Sequence, residues 1–222
     1  MRRIAFALLV LSCATNAARA DYGAGLAAYD RGDFQTAAAQ WRAAAEAGDP
    51  KAQLGFGVLL ETGGAGAPDP AGAARWYEAA AERGVATAMY NFGRLLIEGR
   101  GVRPDPQRAE ALWRAAADAG MPEAAHNLGV MRYAGVGAPQ DYAEAARWFG
   151  RAGTLGYSES QFMLGEMNRL GLGVPIDEQK AGRWFALAGM QGHDAARARL
   201  TAMDAAIAAP AQPASAQPRQ TA

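Results

Sequence analysis

The segment NLGVMRYAGVGAPQDYAEAARWFGRAGTLG, Asn127 to Gly156, has the Ala, Glu and Arg content of a good helix former, yet Gly129, Gly135, Gly137, Pro139, Gly150, Gly153 and Gly156 interrupt it. Each glycine inside a helix costs roughly 1 kcal/mol, and each proline roughly 3 kcal/mol, relative to alanine. A single helix with that many breakers would not form. The pattern is instead that of two helices joined by a turn, and the rest of the chain says so by repeating it.

Compared with itself at a shift of 36 residues, the chain keeps several columns fixed without an insertion. Asp recurs at Asp33, Asp69, Asp105, Asp141 and Asp177, and Ala at Ala37, Ala73, Ala109, Ala145 and Ala181. An aromatic recurs at Trp41, Tyr77, Trp113, Phe149 and Phe185, and Gly at Gly48, Gly84, Gly120, Gly156 and Gly192. A second block pairs an apolar residue with glycine at Phe56-Gly57, Phe92-Gly93, Leu128-Gly129 and Leu164-Gly165. A fixed period of this length marks a solenoid of supersecondary units.

Each column implies a physical task. From Asp33, the offsets to Ala37, Trp41 and Ala44 fall on one helical face, with Asp as N-cap, Pro often following at the first helical position, and Gly just past the end. This is helix B of each unit. Ala52, Phe56 and Leu59 lie at helical spacing in a second segment that stops at Gly63, which is helix A. Gly57 and its equivalents are expected where two helices approach closely, with Ala37 and Ala44 as the matching shallow surface and the aromatic column filling space between repeats. Gly135 and Gly137 belong to the turn between helices A and B. Gly153 replaces the Ala of other units and suggests close packing; the pattern assigns Gly150 no role.

The ends read differently. Arg2 and Arg3, the run IAFALLVL, and small residues up to Ala18-Arg19-Ala20 form the three parts of a secretory signal peptide over residues 1–20, with cleavage expected after Ala20. A lipoprotein signal at Cys13 is the rival reading, and its preceding residues, Val10 and Leu11, fit that motif poorly; a twin-arginine signal fits worse. Loss of residues 1–20 removes three Arg and no acid, leaving 19 basic against 22 acidic side chains and a net charge of −3. That argues against nucleic acid and anionic lipid as partners. Cys13 is the one cysteine, so a chain beginning at Asp21 has no disulfide, thiolate or cysteine metal site. Residues 209–222, rich in Pro, Ala and Gln, read as a disordered tail, leaving residues 21–208 for the helical repeats.

Reactive constellations are sparse. His126 and His193 occupy different positions of different repeats and do not suggest a shared metal. GAGLAA at Gly23 has part of a dinucleotide fingerprint but no strand before it. Glu123 and Glu159 share a column, and a solvated groove lining is the simpler reading of that pair than acid/base work. No Ser/His/Asp arrangement suggests itself, and no catalytic residue, metal or cofactor is expected.

The columns Ala, Leu-Gly, Gly-x-Gly-Val, Asp, Ala, Trp, Ala-Ala and Gly, as in NFGRLLIEGRGVRPDPQRAEALWRAAADAG and MLGEMNRLGLGVPIDEQKAGRWFALAGMQG, resemble the Sel-one-like repeat, a relative of the tetratricopeptide repeat. The resemblance runs from Asp21 to about Ala208. Unit one departs from it, since Gly25 and Asp33 stand closer than Gly57 and Asp69, and looks like a plain tetratricopeptide hairpin. The final segment, with Thr201 where glycine is due, looks like a capping helix. The resemblance implies an all-α, right-handed superhelix of five helix pairs and a cap, eleven helices in all, with A helices lining the concave face. It also implies an adaptor or scaffold rather than an enzyme, with a protein or peptide of the cell envelope as partner; together with the signal peptide the expected setting is the periplasm, and the expected state a monomer without membrane insertion.

Two other functions stand beside that one. Binding of peptidoglycan or another envelope polymer would also suit groove tyrosines. Cysteine-rich relatives are associated with β-lactam binding, but this chain lacks their cysteine pairs. By alignment to the family, the variable positions facing the concavity include Lys51, Thr87, Glu123 and Glu159, then Leu54, Tyr90, His126 and Phe162. Val58, Arg94, Val130 and Glu166 follow, then Glu61, Ile97, Tyr133 and Arg169. Tyr90, Tyr133 and Phe162 have no evident partner inside their hairpins, and Arg94 and Arg169 stand near them; aromatic plus Arg is the composition of an interface hot spot. The candidate groove is therefore Tyr90, Arg94, His126, Tyr133, Phe162, Glu166 and Arg169. The competing reading is that these aromatics merely complete packing between A helices.

Overall fold

The computed structural model describes residues 21–64 and 66–208; the expected signal peptide and C-terminal tail lie outside them. Among the described residues are eleven α-helices and no strand. The A helices are α1 (Tyr22–Asp30), α3 (Pro50–Thr62), α5 (Ala86–Glu98), α7 (Pro122–Ala134) and α9 (Ser158–Leu170), and the last helix is α11 (Asp194–Ala208). The B helices are α2 (Phe34–Glu46), α4 (Pro70–Glu82), α6 (Pro106–Asp118), α8 (Tyr142–Thr154) and α10 (Glu178–Met190). Each helix packs chiefly on its neighbours in the chain, so the molecule is a solenoid of five hairpins closed by α11. No described helix is long and apolar enough to cross a membrane.

The punctuation read from the sequence has the expected chemistry. Asp33, Asp69, Asp105, Asp141 and Asp177 each accept a hydrogen bond from a first-turn backbone N–H of their helix. The A helices α3, α5, α7 and α9 end at Gly63, Gly99, Gly135 and Gly171, all left-handed with φ from +66° to +74°. Two residues on, Gly101 and Gly173 sit so close to the start of the preceding B helix that a β-carbon would lie 2.3 Å and 2.2 Å from backbone carbonyl carbons of Pro70 and Tyr142. The Gly-x-Gly turn thus locks one unit onto the one before it.

The glycine inside each A helix serves a ring rather than a backbone. A β-carbon on Gly57, Gly93, Gly129 or Gly165 would stand 2.7, 2.5, 2.6 or 2.4 Å from an atom of Tyr77, Trp113, Phe149 or Phe185, the aromatic of the same hairpin's B helix. The expected helix–helix approach is in fact a seat for that aromatic. Gly25 makes the same seat for Trp41, so the short first unit keeps the device despite its shorter spacing. Between rings the core is filled by alanines, among them Ala37, Ala73, Ala109, Ala145 and Ala181, all fully buried. Gly153 is tight as expected, its β-carbon position lying 3.1 Å from Leu164 Cδ1, whereas Gly150 faces open space.

Candidate protein-binding groove

The inner columns of the A helices carry the seven candidate residues, and the structure separates them into two kinds. Tyr90, Tyr133 and Phe162 do have partners inside their own hairpins, contrary to expectation. The Tyr90 ring lies 6.4 Å from Trp113, whose Nε1 donates to the Tyr90 carbonyl at 3.0 Å. Tyr133 meets Tyr142 edge-on at 5.1 Å, and Phe162 sits 5.7 Å from Phe185 and stacks on His193 at 4.6 Å. Alignment to the family assigned these rings to the groove without showing that the adjacent B helix reaches the same face with an aromatic. Their inner surfaces are half-buried rather than free.

The candidate charges are likewise engaged. Arg94 pairs with Glu61 and Glu98, Arg100 joins the same two carboxylates, and Tyr77 donates its hydroxyl to Glu61 at 2.9 Å. Burial alone would push the Glu61 carboxyl up, but its hydrogen bonds to Arg94 and Tyr77 outweigh that and hold it below the ordinary range. Glu166 pairs with Arg169 and with Arg199 of α11, each at 2.7 Å. His126 accepts or donates one hydrogen bond with the Ser160 hydroxyl at 2.8 Å and packs 4.9 Å from Tyr157. Burial lowers its pKa, with Glu159 opposing, so the ring is neutral near pH 7.

Glu123 and Glu159 do share one neighbourhood. Burial raises the Tyr157 hydroxyl pKa first, and the negative charges of Glu159 and Glu123 add to it, with Tyr90 also within range. His126 and His193 both lie within electrostatic reach of Glu159. No group of three His, Cys, Asp or Glu able to hold a metal occurs among the described residues.

Between α5 and α7 lies a hollow of about 320 Å³, lined by Tyr90, Ile97, Trp113, Val130, Met131 and Val136 together with the polar Arg94, Glu98 and Asn127. Val130 is 42% exposed and Val136 36%, unusual for valines beside a packed core. This is an apolar depression with a charged rim, not a set of reacting groups.

Residues 50–85, 86–121, 122–157 and 158–193 each match the Sel1 repeat, which together is well over half of the chain and corresponds to the four hairpins from α3 to α10. The chain belongs to the Sel1 repeat family. Sel1 repeat proteins are generally scaffolds for protein–protein interaction. A protective antigen present in uropathogenic Escherichia coli strains, displaying an SLR fold, superposes with a TM-score of 0.80 at 29% identity over 86% of this chain and 42% of its own. A Sel1 repeat protein from Oxalobacter formigenes superposes with a TM-score of 0.75 at 28% identity over 81% of this chain and 74% of its own. The chain thus spans less than half the length of the first of these. Comparison with curated proteins gives no match.

One cluster in the Sel1 repeats escaped the sequence reading. Arg132 of α7 is only 8% exposed and is held by Glu110 of α6 and, at 2.7 Å, by Glu144 of α8. Arg114 pairs with Glu110 at 2.7 Å and lies 5.2 Å over the Trp148 ring, while Trp148 Nε1 donates to Glu144 at 3.2 Å. Arg132 shares its column with Leu60 and Leu96, so the sequence signal was a charge at an apolar core position.

Proposed function

We propose that the protein is a non-enzymatic periplasmic scaffold that holds a segment of a protein or peptide partner against the concave, A-helix face of its Sel1 repeats. The observation that supports this reading is the apolar hollow between α5 and α7, with Val130 and Val136 uncovered at its rim. Apolar side chains left exposed beside a preformed depression serve as an anchor site, and the paired charges of Arg94 and Glu98 around it supply a polar margin. The groove aromatics contribute the rigid walls rather than free anchors. Membership of a family of interaction scaffolds points the same way.

A photo-crosslinking amino acid placed at Val130 and, separately, at Glu178 on a B helix tests the face. Partner adducts in the native host from position 130 and none from position 178 are expected; the reverse would move recognition to the B helices. The location is tested by intact mass. A chain starting at Asp21 without lipid is expected, and a diacylglyceryl group on Cys13 would make the protein membrane-anchored instead.

A further inference from the structure

The repeat supplies an internal control for every position, and at one place the control exposes a site. Shifting the Arg132 cluster forward by one unit of 36 residues replaces each of its charged members. Arg132 becomes Asn168, Glu110 becomes Ala146, Arg114 becomes Gly150 and Glu144 becomes Lys180, while Trp148 remains as Trp184. In the first layer, of α6, α7 and α8, the indole is covered by a guanidinium and its N–H is taken by a carboxylate. In the second, of α8, α9 and α10, both are gone.

What remains is a hollow of about 300 Å³ whose lining includes Ala146, Arg147, Gly150, Asn168, Lys180 and Trp184, and no Asp or Glu. The Trp184 Nε1 is buried and meets no acceptor. A buried donor without a partner costs on the order of 1–3 kcal/mol, and a native one asks for an explanation. Gly150, inside a helix with nothing within 4 Å of its β-carbon position, is what keeps the space open. The floor is apolar, through Leu164 and Val174, and the two ionic residues of the lining are both cations. An apolar hollow with a few convergent donors has the composition of a small-ligand site.

We infer that this hollow binds a carboxylate-bearing ligand, whose oxygens stand where the Glu144 carboxylate stands in the preceding unit, accepting from Trp184 Nε1 and pairing with Lys180 and Arg147. The apolar part of the ligand occupies the space that Arg114 fills one unit earlier and that Gly150 leaves empty. The carboxylate comes from a small organic acid or from a polypeptide C-terminus, which share this chemistry. The site is distinct from the A-helix groove and does not depend on it.

The five tryptophans give five indole N–H signals in a ¹H–¹⁵N spectrum, and Trp184→Phe assigns the relevant one. Titration with 3-phenylpropanoate is expected to move the Trp184 signal downfield and to saturate in the millimolar range, at a Kd of about 1 mM. The matched amide, 3-phenylpropanamide, should leave it in place. Gly150→Arg, which restores the Arg114 arrangement, should weaken binding at least about tenfold. Lys180→Glu should shift the signal without any ligand and abolish the response, so the proposal does not rest on one variant folding. An acetylated peptide ending in a free Phe carboxylate, against its C-terminal amide, distinguishes the sources: tighter binding than the free acid means a chain terminus, weaker binding a small acid. No saturable shift, an equal response to the amide, or unchanged binding by Gly150→Arg would overturn the proposal.

Discussion

The layer of α6, α7 and α8 and the layer of α8, α9 and α10 share a backbone plan, a buried aromatic and a tryptophan, yet one is filled by ions and the other by space. In the first, Arg132 is buried between Glu110 and Glu144. In the second, Asn168 at the same position turns inward and donates to its own helix's Leu164 carbonyl at 2.7 Å. The difference teaches that the repeat fixes the packing columns, and that the column of Leu60, Leu96, Arg132 and Asn168 admits an apolar, a charged or an amide side chain, with neighbouring helices supplying partners for the arginine and its own helix one for the asparagine. Charge at that column ties three helices together; an amide there ties only one.

The comparison breaks most sharply at Arg132. Arg132→Met leaves Glu110 and Glu144 with the more exposed Arg114, 2.7 and 3.9 Å from them, as their remaining cation, and should lower stability by about 3 kcal/mol, at the low end for one partner of a buried pair because both carboxylates keep Arg114 and some access to water. Asn168→Ala, which removes one hydrogen bond within a helix, should cost about 1 kcal/mol. Urea unfolding midpoints at constant m-value measure both. Equal losses would mean that the ion cluster does no more than the amide.

Acid sharpens the same contrast. Hydrogen bonding to Arg132 is the chief reason the Glu110 carboxyl is held below its ordinary value of 4.5, with Arg114 helping and partial burial opposing. A group with a depressed folded-state pKa contributes stability that is present above its unfolded pKa and lost as pH falls through the folded one. Stability should therefore fall below about pH 4.5, through this carboxylate, in the parent chain. In Arg132→Met the slope of unfolding free energy against pH should be shallower over that range, and a slope unchanged by the substitution would remove Glu110 from the account.

Next in size is the ring seat. Gly129→Val puts branched carbon where Phe149 Cδ1 already stands 2.6 Å from a β-carbon position, and should cost about 1–3 kcal/mol through displaced helices. An unchanged denaturation midpoint would show that the hairpin opens freely there.

Much of this was legible in the order of residues. Asp caps, Gly stops and the alanine face follow from backbone chemistry that acts over a few residues, so their period placed the A and B helices of the repeats, while the count of eleven came from the resemblance to the Sel-one-like repeat. The groove was legible only as a set of columns. That Tyr133 meets Tyr142, or Phe162 meets Phe185, depends on the angle at which two helices cross, which periodicity does not carry. The Arg132 cluster joins residues 12 and 22 positions apart from three helices; Arg132 stood out by sharing a column with Leu60 and Leu96, but Glu110 and Glu144 look like ordinary surface charges until burial is known. The exposed Val130 and Val136 were visible as residues, but their shared hollow was not.

The smallest expected effect has the opposite sign. Gly150 and Gly153 lie three residues apart in α8, and both replace larger residues of other units, so helix propensity alone would have Ala stabilise either site equally. At Gly150 a β-carbon meets nothing within 4 Å, so Gly150→Ala should stabilise the protein by about 0.5–1 kcal/mol, by reducing the freedom of the unfolded chain and restoring helix propensity. At Gly153 the same methyl would stand 3.1 Å from Leu164 Cδ1 and 3.4 Å from Gln161 Cγ, and Gln161 already donates its side-chain amide to the Gly153 carbonyl. The propensity gain is offset by displacement of a buried leucine, so Gly153→Ala should fall below Gly150→Ala and near zero. Thermal midpoints of the two variants, measured side by side, decide it: equal gains would mean that neither glycine is kept by packing, and a loss at Gly150 would mean that the hollow beside Trp184 closes more tightly around α8 than its open face suggests.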